Sequence, residues 1–171
     1  MLLTSSTTVV SILLAIIFSW LINNKNKPNS KIYPFSVFLV LSISSLVSYL
    51  LKLGFSRTRP FILSDEIMQL TTVNTFSFPS GHTTAVCSIV FGLLFFYPKK
   101  RLLIPVIFWA VLVMYSRLVF GVHFLSDLFG GAALSFFVAL SLHFWLKNKI
   151  ENSEKIRLIM YLFISTFFLL L

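Results

Sequence analysis

Cysteine is almost missing from this chain, which carries only Cys87 among its 171 residues. No disulfide framework and no thiolate metal site can be assembled from a single thiol, and redox chemistry is not expected. Acidic side chains are scarce too, five against fourteen basic ones. Also missing are an internal repeat, a heptad seam, a low-complexity tract and any polar stretch long enough to form a separate soluble domain. One domain over residues 1–171 is therefore expected.

Apolar residues, by contrast, make up 57% of the chain, and the mean hydropathy is +0.93. That is more apolar surface than a soluble domain of this size can bury, so the expected solvent is lipid. The twenty phenylalanines are read as lipid-facing or packed between helices. Apolar runs over 3–22, 33–51, 81–97, 102–115, 128–146 and 158–171 read as an all-α integral membrane bundle of about six transmembrane helices. The first run is expected to be a helix and not a cleaved secretion signal, because no basic residue precedes it and no clear small-residue cleavage site follows. The last run is short enough that a full span is left open.

A net charge of +9 would point to nucleic acid in a soluble protein. Here the basic residues divide by position, and no nucleic-acid partner is expected. Ten lie in three short loops: Lys25, Lys27 and Lys31; Lys99, Lys100 and Arg101; Lys147, Lys149, Lys155 and Arg157. Basic residues in short loops favour the cytoplasmic side, which turns segments 52–80 and 116–127 outward. Trp20, Tyr33, Tyr97 and Trp145 then fall at the cytoplasmic ends of their helices, where aromatic rings prefer the headgroup level.

The outward segments should be poor in positive charge, yet they hold Lys52, Arg57, Arg59 and Arg117 beside His82, His123 and Asp127. Basic groups at membrane depth cost roughly 2.5–3.5 kcal/mol each on insertion scales, so a cluster at one end of a bundle implies an anion or a function that compensates. Interfacial snorkelling or ion pairing with Asp65, Glu66 and Asp127 is the plainer alternative. Pro79-Ser80-Gly81-His82 opens the third helix: serine caps it, glycine permits close approach, and free amides attract anions. Ordinary helix-start chemistry would use the same residues. His123 and Asp127 stand four apart, so one helical turn brings the carboxylate to a ring nitrogen and leaves the other nitrogen free to attack. Metal ligation and a structural hydrogen bond are compatible with that spacing as well. Two histidines and three carboxylates facing four cations make a poor metal site, so neither metal nor other cofactor is expected. The cations suit phosphate oxygens instead.

Together these residues resemble the type 2 phosphatidic acid phosphatase family of membrane lipid phosphatases. The resemblance rests on Lys52, six residues, then Arg59-Pro60; on Pro79-Ser80-Gly81-His82; and on Ser116-Arg117, five residues, then His123, three residues, then Asp127. It covers a motif-bearing core of about residues 33–146. The resemblance implies that His123 is the nucleophile forming a phosphohistidine, Asp127 its orienting partner and His82 the general acid. It also implies that Lys52, Arg59, Ser80, Gly81 and Arg117 hold the phosphate and that no metal takes part. Arg57 is not one of the residues the motif specifies and is expected to contact headgroups or part of the lipid. Ser64 is expected to cap a short lid helix running toward Leu70, while His143 and Cys87 are read as packing residues.

A site near the outer headgroup level, without a sizeable outer domain to grip a soluble molecule, favours a substrate whose tail stays in the membrane. The candidates are an isoprenyl carrier pyrophosphate such as undecaprenyl pyrophosphate, the 1-phosphate of lipid A, and phosphatidylglycerophosphate or phosphatidate. The same intermediate would serve a lipid phosphotransferase, and a non-enzymatic anion or lipid transporter is a weaker alternative. Expected partners are the bilayer and a lipid phosphate substrate, with no obligatory protein partner. The expected setting is a bacterial inner membrane with the site facing the periplasm or exterior.

Overall fold

A computed structural model describes residues 32–64, 66–68, 70, 72–97 and 103–150. The expected first and last spans and the basic residues expected on the cytoplasmic side up to Lys31, at 99–101 and beyond 150 lie outside the described residues. Among the described residues every regular element is helical: α1 (Ile32–Phe55), α2 (Pro60–Leu63), α3 (Gly81–Phe96), α4 (Leu103–Val119) and α5 (Leu125–Ile150).

The helices begin and end where local chemistry dictates. Ser56, at φ 45°, puts a left-handed residue just after α1 and turns the chain away from the helix axis. Pro60 starts α2, where its missing N–H costs no hydrogen bond. Ser80 caps α3 by accepting from the Thr83 amide. Gly121, at φ 65°, lets the chain reverse between α4 and α5, a conformation that any side chain would strain. In the first turn of α5 the Asp127 carboxylate reaches back to the Phe124 amide at 2.9 Å, the reciprocal half of a capping box.

α3 is the central helix, packed against α1, α4 and α5, while α1 also meets α5. Val86, Ile89 and Leu93 of α3 lie in one cluster with Val37 of α1 and with Val106, Ala110 and Val113 of α4. Around this core the interior is rich in small polar residues: Ser36, Ser44, Ser48, Thr83, Thr84, Ser88 and Ser135 are all buried. The hydroxyls of Ser88 and Ser135 both bond to the Thr84 carbonyl, at 2.7 and 2.8 Å, and lie 3.2 Å from each other. At Gly131 an added Cβ would stand 2.9 Å from the Ser80 carbonyl, so glycine is what lets α5 approach α3 there. The outer surface is the reverse, with Leu46, Leu50, Phe108, Leu112, Phe137 and Phe144 exposed. Small polar contacts inside and large apolar side chains outside are the arrangement that a lipid solvent stabilises.

Two described stretches, Phe35–Leu63 and Leu125–Leu146, have the length and composition to cross a membrane, and Gly81–Phe96 and Leu103–Val119 are shorter apolar helices. At 1.5 Å per residue the 16 residues of α3 reach about 24 Å, short of a hydrocarbon core of about 30 Å. Its N-terminus therefore sits at or below headgroup level when its other end is at the opposite interface.

The helices run further than the apolar runs. α1 continues through Lys52 to Phe55, α4 through Arg117 to Val119, and α5 starts ahead of Asp127. A hydropathy run stops at the first charge, whereas a helix continues if that charge faces a polar interior or complements the helix end. The expected lid helix after Ser64 is corrected. The helical turn precedes Ser64, which is its C-cap, and the Ser64 hydroxyl accepts from the Glu66 amide at 3.4 Å. Pro60 sets the start of the helix earlier, and Ser64 forms a local serine turn after it.

Candidate active site

Four helix ends meet at one end of the bundle: the C-termini of α1 and α4 and the N-termini of α3 and α5. Lys52 and Arg117 occupy the last turns of α1 and α4, and Asp127 the first turn of α5, so each charge opposes the partial charge of its own helix end. The strand of chain between Thr75 and Ser80 crosses this end and is fastened by the basic residues. Lys52 Nζ donates to the Phe76 and Ser77 carbonyls at 2.8 and 3.4 Å. The Ser77 amide donates to the Arg57 carbonyl at 2.8 Å, and the Ser80 amide to the Asp127 carbonyl at 3.0 Å.

His123 lies in the connection just before α5, buried, with its two ring nitrogens in different surroundings. Nδ1 faces Asp127 Oδ2 at 3.4 Å, while Nε2 faces Arg59 Nη1 at 3.4 Å. A guanidinium can only donate, so Nε2 is the acceptor and Nδ1 carries the proton. This tautomer presents a nitrogen lone pair to the basic cluster. Burial holds the His123 imidazole below the usual histidine value; the hydrogen bond to Asp127 opposes this, and the charges of Arg59 and Lys52 reinforce it. The ring is therefore kept neutral, the form with a lone pair to donate.

Asp127 is fully buried (0% exposed) and saturated with donors. Oδ2 accepts from the Ser77 hydroxyl, the Phe124 amide and the His123 side, and Oδ1 accepts from Arg57 Nη1 at 2.7 Å. Arg57, expected to contact headgroups or part of the lipid beside the phosphate site, is an ion-pair partner of Asp127. Arg57 and Arg59 stand two apart in the connection between α1 and α2, and both reach the His123–Asp127 pair. That spacing was the available signal. Nothing in the sequence marked Ser77, which reaches Asp127 only because its strand is pinned across the helix ends.

Arg59 uses all five of its N–H groups on the protein. Nε and Nη2 bond to the Thr75 carbonyl at 2.6 Å, the Thr75 hydroxyl at 3.1 Å and the Phe76 carbonyl at 3.3 Å; Nη1 bonds to the Val122 carbonyl at 2.7 Å and faces His123. Its weakest contact, at 3.4 Å, is the one to Nε2. Arg117 is less committed: among the described residues Nε and Nη2 bond only to its neighbour Ser116, at 3.2 and 3.1 Å, and the guanidinium lies 4.9 Å over the Phe120 ring. Among the described residues its Nη1 has no partner.

His82 is in the first turn of α3, with Arg117, His123, Lys52 and Arg59 as its charged or ionisable neighbours. Gly81 lies against Lys52, whose Cε would be 3.9 Å from an added Cβ. The Ser80 hydroxyl oxygen accepts from the Thr83 amide and hydroxyl, at 3.4 and 3.1 Å; its oxygen serves the helix cap and its proton remains to donate. All eight residues expected at the site thus stand at this one end of the bundle. Among the described residues no group of three or more histidine, cysteine, aspartate or glutamate side chains is placed to hold a metal ion. Four cations, Lys52, Arg57, Arg59 and Arg117, surround the single carboxylate of Asp127 and two histidines, an excess of positive charge that an anion would balance.

A sequence profile of the PAP2 superfamily matches residues 32–151. The phosphatidylglycerophosphatase B of Bacillus subtilis (strain 168) is 34% identical over 128 residues, covering 70% of this chain and 59% of that protein. The undecaprenyl-diphosphatase BcrC of the same organism is 25% identical over 131 residues, 76% of this chain and 65% of that one. The chain therefore spans less than two thirds of the length of either relative. Among solved structures, the transmembrane PAP2-type phosphatidylglycerolphosphate phosphatase of Bacillus subtilis superposes with a TM-score of 0.65 at 25% identity, over 86% of this chain and 73% of that one. Aquifex aeolicus LpxE superposes with a TM-score of 0.66 at 25% identity, over 82% and 78%.

Proposed function

The chain belongs to the PAP2 superfamily, and from that premise we propose that it is an integral-membrane lipid phosphatase that works through a phosphohistidine on His123. The observation that carries this reading is the two-sided setting of that imidazole, with Asp127 on Nδ1 and the basic cluster on Nε2.

In this reading a phosphate enters the cluster and is met by Arg117 Nη1, Lys52 and the free amides at the start of α3. One phosphate oxygen takes over the Arg59 Nη1 donor from Nε2, exchanging the longest contact of that arginine for a charge-assisted one and freeing the lone pair. Nε2 then forms a bond to phosphorus as the bond to the leaving oxygen breaks. The electron pair departs with that oxygen, which takes a proton that His82 holds once the negative charge of the bound phosphate offsets the cations around the ring. Asp127 stabilises the positive charge that develops on the His123 ring. In the second half a water oxygen attacks phosphorus, its proton passes to His82, and the P–N electron pair returns to Nε2. The products are inorganic phosphate and a lipid alcohol, or a lipid monophosphate when the substrate is a pyrophosphate. No metal is assigned to the reaction, since the cations supply the charge that a metal would bring.

The substrate class follows from the setting. The site lies at the end of a lipid-facing bundle, and relatives are named for phosphatidylglycerophosphate and undecaprenyl diphosphate. An isoprenyl pyrophosphate, the 1-phosphate of lipid A and phosphatidylglycerophosphate are the candidates. The distribution of basic loops supports a six-span bacterial inner-membrane protein with the site on the periplasmic or outer side. Phosphate release by purified protein from a panel of lipid phosphates and their short-chain counterparts, with EDTA present, tests the reading. Long-chain substrates should be turned over far better, because each methylene kept out of water contributes about 0.8 kcal/mol. Equal use of glycerol phosphate would refute the lipid substrate, and loss of activity in EDTA with recovery on adding a divalent metal would refute the metal-free mechanism.

A further inference from the structure

We infer that Arg57, at one of the six unspecified positions between Lys52 and Arg59, is a positioning residue for the nucleophile: its guanidinium fixes the buried Asp127 carboxylate in the orientation that keeps Oδ2 on the Nδ1 side of His123. This rests on the proposed role of His123.

The two oxygens of Asp127 are held unequally. Oδ2 has three donors around it, from Ser77, Phe124 and His123, whereas Oδ1 has one among the described residues, Arg57 Nη1 at 2.7 Å. A fully buried carboxylate oxygen with no donor is costly, so losing that contact gives the group a reason to rotate and seek a new partner. Rotation moves the charge away from Nδ1.

Arg57 is itself braced. The same Nη1 donates to the Ser126 hydroxyl at 2.7 Å, and the guanidinium lies 4.2 Å over the Phe124 ring. Its backbone carbonyl is held by the Ser77 amide at 2.8 Å. One side chain thus grips residues 124, 126 and 127, the turn that presents His123. At 39% exposure it reaches the buried carboxylate from outside without being fully desolvated itself.

Its electrostatic reach also sets it apart from the phosphate-binding cations. Lys52 and Arg59 act on both histidines as well as on Asp127, and Arg117 acts on His82, whereas Arg57 acts on Asp127 and on neither histidine. A residue so placed changes the rate of attack more than the hold on phosphate.

The test is steady-state kinetics on full-length protein in detergent with a long-chain lipid phosphate, using Arg57→Gln, Arg57→Lys and Arg57→Ala, with His123→Ala as the reference. Arg57→Gln is expected to lower kcat roughly 10- to 100-fold, the loss of one buried charge-assisted bond. KM and inhibition by vanadate should stay unchanged. Arg57→Lys should recover most of kcat by returning one charged donor to Oδ1, and added methylguanidinium should raise the turnover of Arg57→Ala, whose side-chain site is open to solvent. A raised KM with unchanged kcat would make Arg57 a headgroup contact and overturn the inference. So would wild-type kinetics per folded molecule with only a lowered melting temperature. If Arg57→Gln does not fold, the Lys variant and the chemical rescue decide on the same terms. An active His123→Ala would defeat the phosphohistidine reading itself, whereas an inactive His123→Ala beside a wild-type-like Arg57→Gln defeats only the inference about Arg57.

Discussion

Asp127→Asn keeps the shape of the side chain and removes one oxygen's worth of acceptor, and the structure allows its cost to be worked out. Four donors converge on the carboxylate, from Arg57, Ser77, Phe124 and His123. An amide has one oxygen and one NH2, so one pair of contacts must become donor against donor. With the amide oxygen at the Oδ2 position, NH2 faces the Arg57 guanidinium. Flipped, NH2 faces Nδ1 and forces the proton onto Nε2, which deletes the nucleophilic lone pair. Either way the charge that balances the phosphorylated imidazole is gone. Loss of one buried charge-assisted bond costs about 1.5–3 kcal/mol, and an unpaired buried cation or donor adds about 1–3 kcal/mol. If roughly 3–5 kcal/mol of that is felt in the transition state, turnover falls about 10²- to 10⁴-fold. The assay is phosphate release from a long-chain lipid phosphate, together with trapping of phosphohistidine in alkaline-quenched protein and a melting curve to establish folding. Folded Asp127→Asn within tenfold of wild type would refute the orienting role of Asp127.

Other expectations follow from the same geometry. His123→Ala and His82→Ala should each lower turnover by orders of magnitude in folded protein, and only His82→Ala should still form phosphoenzyme with a good leaving group; near-normal phosphate release from either would overturn the assigned roles. Because burial, with Arg59 and Lys52, holds His123 below the ordinary histidine value of 6.5, its neutral, nucleophilic form persists on acidification past that value. The acidic limb of kcat/KM, corrected for titration of the substrate phosphate, should therefore lie below pH 6.5, and a limb above it contradicts the electrostatic reading. Single cysteines at Lys99 or Lys149 should react with an impermeant thiol reagent only from the cytoplasmic side and one at Glu66 only from outside, over the low background of buried Cys87; reversed labelling would move the site to the cytoplasm.

The grouping of the site residues was legible in the sequence because most of it is local. A serine, a glycine and a histidine at one helix start, and a histidine four residues before an aspartate, specify their relation through backbone geometry alone. The separation of ten basic residues from the other four was equally legible, since it depends only on which apolar runs they flank. So was the all-helical class, which the described residues share.

What the tertiary structure decided is which side chains complete each other across long stretches of chain. Arg57 reaches Asp127 across 70 residues and Ser77 reaches it across 50; no periodicity encodes such pairs. They exist because four helix ends converge and the strand from Thr75 to Ser80 is pinned across them by Lys52 and Arg59. The same convergence carried α1 and α4 past the charges at which an apolar run ends, since Lys52 and Arg117 face a shared polar end and complement their helix termini. Local sequence determined the reagents. Packing decided which oxygen of Asp127 each donor holds, and hence which nitrogen of His123 faces the carboxylate and which the basic cluster.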